Sequence, residues 1–138
     1  MFLMAIGLVS CGPAKVAVDP GITGDPPGLT VRADWNDVNA AAQVAGARVE
    51  MAMLSSGDGP TQDGRAERRF VFLATDDTEF DLKARQAEPG AGKVIPGPIV
   101  LNAQARPRRD RDRESRLLSA MADRLRDLAG REWAPLDD

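Results

Sequence analysis

The chain of 138 residues has room for one ordinary domain and not for two. Hydrophobic residues at 43% and charged residues at 28% suit a folded globular domain, and a net charge of −3 gives no electrostatic reason to expect a nucleic-acid partner. There is no His and only one Cys, which excludes Ser/His/Asp, Cys/His and zinc-protease chemistry as usually built, and excludes an internal disulfide.

Residues 1–8 carry no charged side chain, and small residues lead from them to Cys11. An apolar stretch of about ten residues is far short of the ~20 that span a bilayer. It suits instead the h-region of a signal peptide. Leu8, Val9, Ser10 and Cys11 occupy the successive positions of a lipobox, and on them the chain resembles a bacterial lipoprotein precursor. The resemblance implies that residues 1–10 are a signal peptide removed before Cys11, and that the Cys11 thiol carries a diacylglycerol. Gly12, a non-acidic residue after the Cys, implies sorting to the outer membrane with the domain facing the periplasm. Lipidation also accounts for a lone thiol in an exported chain, where a free one would be reactive. One departure is the lack of Lys or Arg before Cys11: either the h-region suffices, or the signal peptide is truncated and its true start lies upstream, which is the expectation adopted.

Residues 12–28 contain four Pro and four Gly, a composition in which no regular element persists. Together with Cys11 they read as a lipidated tether over residues 11–28, which if extended would reach roughly 50 Å. Residues 29–138 read as a single α+β domain.

In that domain residues 29–32 are β-prone. Asp34 reads as an N-cap, and Trp35, Val38, Ala42 and Ala45 form one apolar stripe on a helix of about eleven residues that stops at Gly46. Residues 48–55 alternate as a strand and run into turn chemistry over 55–60. Residues 69–75 are apolar on both faces, the pattern of a central strand. After a turn at Asp76-Asp77-Thr78, residues 79–85 place Phe80, Leu82 and Ala84 inward and Glu79, Asp81, Lys83 and Arg85 outward, which completes a hairpin. A Pro/Gly loop over 88–98 precedes an alternating strand over 99–105, ended by Pro107. The last element is a helix from 110 or 112 to 129 with Leu117, Leu118, Met121, Leu125 and Leu128 on one face. Gly130 closes it, and Trp133, Pro135 and Leu136 are expected to cover its end. The order implies a two-layer α+β sandwich, a four- to five-stranded mainly antiparallel sheet with two helices on one face.

Two charge clusters stand out. Asp76, Asp77, Glu79 and Asp81 lack the calcium-loop Gly and bidentate Glu, so a solvated hairpin turn is expected and no metal. Arg106, Arg108, Arg109, Arg111 and Arg113 form the basic tract and the candidate patch for an anionic partner, although Asp110, Asp112 and Glu114 lie among them as a salt-bridged helix start would require. Ser55, Ser56 and Ser119 lack a His, none of the three lysines, Lys15, Lys83 and Lys93, lies near a Ser in sequence, and no phosphate-binding Gly motif is present, so no catalytic residue and no cofactor is assigned. In size and element order the chain resembles small lipoproteins that assist envelope transport and assembly machines. The expectation is a non-catalytic accessory or assembly subunit of the cell envelope, bound to the membrane through its lipid and to an envelope protein partner. The alternative is a periplasmic lipoprotein that binds a lipid or small molecule between the sheet and the Ala-rich helix.

Overall fold

The computed structural model describes residues 28–128. Along them run β1 (Gly28–Ala33), a 3-10 turn (Trp35–Asp37), α1 (Val38–Arg48), β2 (Met51–Asp58), β3 (Glu67–Ala74), β4 (Glu79–Gln86), β5 (Gly97–Arg106) and α2 (Arg111–Leu128). The lipobox, Cys11, the tether up to residue 27, and Gly130, Trp133, Pro135 and Leu136 lie outside the described residues. The strands form one five-stranded sheet in the order β1-β5-β4-β3-β2, with every neighbouring pair antiparallel. The fold is a two-layer α+β sandwich with both helices on one face. β1 and β2 stand at opposite edges of the described sheet, so α1 must cross its face to join them, whereas β2 to β5 return by successive hairpins.

The alternation of apolar residues builds the core from both layers. Phe70 and Phe72 of β3, Phe80 and Leu82 of β4, and Ile99 and Leu101 of β5 are fully buried against Leu117, Met121, Leu125 and Leu128 of α2. α1 contributes Ala41, Ala42 and Ala45, whose small side chains let its backbone lie close to the sheet and to α2. The layer between sheet and helices is thus filled by side chains.

Four local readings change once tertiary contacts are formed. Asp34 does cap, its Oδ1 accepting the Asn36 N–H at 2.8 Å, but it caps a 3-10 turn and the α-helix proper starts at Val38. Gly46 does not end α1, which continues to Arg48; Gly46 is buried there because the Phe72 ring lies where a Cβ would stand. β2 starts only at Met51, because Glu50 turns the chain with φ of 62°, and it extends through Ser55, Ser56 and Gly57 to Asp58. Those turn-forming residues are held as strand by pairing with residues 68–71 of β3, past an irregularity in register between Met53 and Ser55. Finally, β3 is paired on both sides but β4 holds the centre, and the outward Val71 and Leu73 of β3 are only half-buried.

Candidate functional site

The five arginines of the basic tract are mostly turned to internal use. Arg106 reaches Glu79 at 3.3 Å and Asp81 at 3.0 Å across the sheet. Arg109 forks onto Glu114 with Nε and Nη2 at 3.0 and 3.1 Å. Arg113 pairs with Asp110 at 2.7 Å and bidentately with Asp76 at 3.2 and 3.0 Å, its guanidinium 5.2 Å from the centre of the Phe80 ring. It therefore clasps the β3–β4 turn to the start of α2. Arg111 also has a partner, and Arg108 is exposed. The carboxylate cluster divides in the same way: Asp76 belongs to the Arg113 clasp, Asp77 makes the turn at φ of 68°, and Glu79 and Asp81 meet Arg106.

Four carboxyl groups are held below their ordinary pKa by this pairing. Burial by itself would raise Glu114 and Glu67. Arg109 with the Ala105 and Asp110 N–H groups outweighs that for the first, and Arg69 with Arg85 does so for the second. Hydrogen bonds from Arg113 and then Thr78 lower Asp76 to about 2, and those from the Arg113 side chain and N–H lower Asp110. Depressed folded-state values mean that the unfolded chain takes up protons first on acidification. Their stabilisation is complete above the unfolded carboxyl values of about 4 and is lost as pH falls through the lower folded ones. With no His in the chain, no side chain has an ordinary pKa between about pH 5 and 7. Urea unfolding should accordingly give a level midpoint over that interval and a steep decline below about pH 4. A midpoint that changes strongly between pH 5 and 7 would contradict this assignment.

The other face of the sheet carries the more distinctive chemistry. The helices cover one face only, so the odd-numbered positions of β3 and β4 and the even-numbered ones of β5 form a surface of their own. Antiparallel register places Glu67 opposite Arg85, Arg69 opposite Lys83, and Lys83 opposite Asn102. Over the middle of this face runs a groove of about 610 Å³ lined by Arg69, Val71, Asp81, Lys83, Asn102 and Gln104 among others. A second hollow of about 220 Å³ is lined by Arg65, Lys83, Arg85, Gln86, Ala87, Val100 and Asn102. Lys83 and Asn102 border both, so the two are neighbours.

Glu67 organises this end of the face. Its side chain is 2% exposed and accepts from Arg69 at 2.6 Å and from Arg85 at 3.2 Å. A Cβ at Gly59 would collide with its carboxylate, so the absence of a side chain at residue 59 gives that carboxylate its space. Arg65 pairs with the exposed Asp63 at 3.3 Å, and Lys83 forms no ion pair among the described residues. Sequence periodicity marks Lys83 and Arg85 as outward, but Arg65 and Arg69 join them only through the register of β3 on β4. No family model matches the chain, and no curated protein or solved structure is significantly similar to it.

A second surface feature is the loop between β4 and β5. Gly92 O accepts the Trp35 N–H at 2.9 Å, Pro96 O accepts from Arg32 at 2.9 Å, and Gln86 Nε2 donates to Ala91 O at 2.9 Å. Gly92 adopts φ of 80°, and a Cβ there would lie 2.8 Å from Ala33 O. The loop is therefore fastened to the sheet while Val94 and Ile95 at its tip stand in solvent.

Proposed function

We propose that the chain is a lipid-anchored protein of the bacterial cell envelope, attached through Cys11 to the outer membrane on its periplasmic side and acting as a non-catalytic accessory or assembly subunit. The observation that carries this reading is the run Leu8-Val9-Ser10-Cys11, in which the single Cys of the chain closes an apolar stretch. The Pro- and Gly-rich residues that follow supply the reach such an anchor needs. Among the described residues no helix is long and apolar enough to cross a membrane, so the reading takes attachment through the lipid. The uncovered sheet face is the surface on which a partner would act. The absence of His, the commonest general base, supports the non-catalytic part.

The second reading, a carrier of a small ligand, is favoured by the groove on the uncovered face. Its place differs from the one expected: the space between the sheet and α1 is taken by Ala41, Ala42, Ala45 and Phe72, all fully buried, so a ligand would sit on the opposite face.

Membrane fractionation tests the anchor. Wild-type chain should sediment with membranes, and Cys11→Ser, which removes the thiol to be acylated, should appear in the soluble fraction. Equal membrane binding by the two would refute the lipobox reading. Cross-linking from position 104, on the uncovered face, should trap an envelope protein in intact membranes, and a repeatably empty result would remove the assembly role.

A further inference from the structure

We propose that the hollow bordered by Arg65, Lys83 and Arg85 is a binding site for a phosphate monoester, with the adjoining groove receiving the group that the phosphate is attached to. Four cations gather at this end of the sheet, Arg65, Arg69, Lys83 and Arg85, against two carboxylates, Glu67 and Asp63. The surplus is two positive charges, which is the charge a phosphate monoester carries near neutral pH, about −1.5 to −2. None of the residues lining the smaller hollow is acidic, so an anion there meets no opposing carboxylate at its wall.

The arrangement is also costly in the free protein. Arg69 and Lys83 stand directly opposite on neighbouring strands, where like charges destabilise a sheet. Glu67 relieves Arg69 and Arg85 by direct pairing, but Lys83 is left without an ion pair among the described residues. A dianion with several acceptor oxygens pairs with Lys83 and sits beside the partly exposed Arg65 guanidinium, and charge-assisted hydrogen bonds of this kind are the strong ones. Because Arg85 is fixed by a buried carboxylate and Lys83 lies on the central strand, part of the site is positioned before any ligand arrives.

The hollow of about 220 Å³ opens beside the groove of about 610 Å³ through Lys83 and Asn102, and beyond Arg69 and Lys83 the side chains along the groove are Val71, Gln104 and Asp81, the last paired with Arg106. An anionic head with an attached body fits that succession better than a bare ion does. The proposal rests on the ligand-binding reading and not on the anchor, so it is tested on full-length chain carrying Cys11→Ser.

Calorimetric titration with inorganic phosphate and with glycerol 3-phosphate, at constant ionic strength set with chloride, should give saturable binding. Lys83→Gln and Arg65→Gln should each weaken it about tenfold, the usual value of one charge-assisted contact. Arg126→Gln, the same charge change on the exposed side of α2, should leave it within about twofold of wild type, and all three variants should keep the wild-type unfolding midpoint to within a few degrees. Vesicles containing phosphatidic acid distinguish the source: binding to them alone assigns the phosphate to a lipid headgroup, and binding to soluble esters assigns it to a free metabolite. Absence of phosphate binding in every form, or equal weakening by Arg126→Gln, overturns the proposal. A small molecule retained in native mass spectra without any phosphate response would overturn it while leaving the wider ligand-binding reading standing.

Discussion

Glu114→Ala should lower the stability of the domain by about 3–5 kcal/mol, the usual cost of leaving the partner of a buried ion pair uncompensated. Glu114 is fully buried near the start of α2, and its carboxylate joins three parts of the fold. It accepts the Ala105 N–H at 2.7 Å, the Asp110 N–H at 3.2 Å and a two-pronged contact from Arg109 at 3.0 and 3.1 Å. Ala105 stands opposite Phe80 near the end of β5. The Glu114 carboxylate takes its N–H and at the same time that of Asp110, and so ties the end of β5 to the first turn of α2. Truncation therefore strands a buried amide and a half-buried guanidinium together. Arg109→Ala should also be costly, since it leaves a fully buried carboxylate without its ion-pair partner, although both amides keep their acceptor. A drop of more than about 10 °C in the unfolding midpoint is expected for Glu114→Ala in a domain of this size. A loss below about 1 kcal/mol would show that the carboxylate does not join these elements.

Gly46→Leu should be nearly as damaging, costing about 3 kcal/mol through overpacking. By helix propensity alone any side chain would improve on Gly, and Ala by about 1 kcal/mol. The neighbourhood reverses the sign: a Cβ at Gly46 would stand 2.5 and 2.8 Å from two carbons of the Phe72 ring and 3.3 Å from Met51 O. Phe72 is itself fully buried between the layers and has nowhere to retreat. Even Gly46→Ala should thus fail to stabilise. Phe72→Leu shortens the ring that causes the conflict, so combined with Gly46→Ala it should cost less than the two single changes added together. Strict additivity in urea unfolding would mean that the two residues do not oppose one another.

The element pattern was largely legible in the residues themselves. Alternation marked β4 and β5 with their inward faces, the Leu and Met stripe marked the buried side of α2, and Asp76-Asp77 marked the hairpin between β3 and β4. Legibility failed where a neighbour overrides local preference. Gly46 resembles a helix stop but is a contact point for Phe72, and Ser55-Ser56-Gly57-Asp58 resembles a turn but is held as strand by β3. Glu114 resembles one more acid in a charged helix start, because nothing local signals that its carboxylate will meet the Ala105 N–H at the end of β5.

The candidate site shows the same division. The sequence drew attention to the dense run of arginines near residue 110, where adjacent acids supply internal partners. The cations on the uncovered face are scattered over residues 65–85 and gather only when β3 folds back on β4. Their register was in principle contained in the hairpin, since a turn at 76–78 that pairs Leu73 with Glu79 also pairs Arg69 with Lys83 and Glu67 with Arg85. By itself, then, the sequence determined the periodicities and the fold class, because each is written in residues close together along the chain. Only the tertiary structure decided which charges are consumed in ion pairs and which face is left uncovered, because those depend on how distant segments come to lie beside one another.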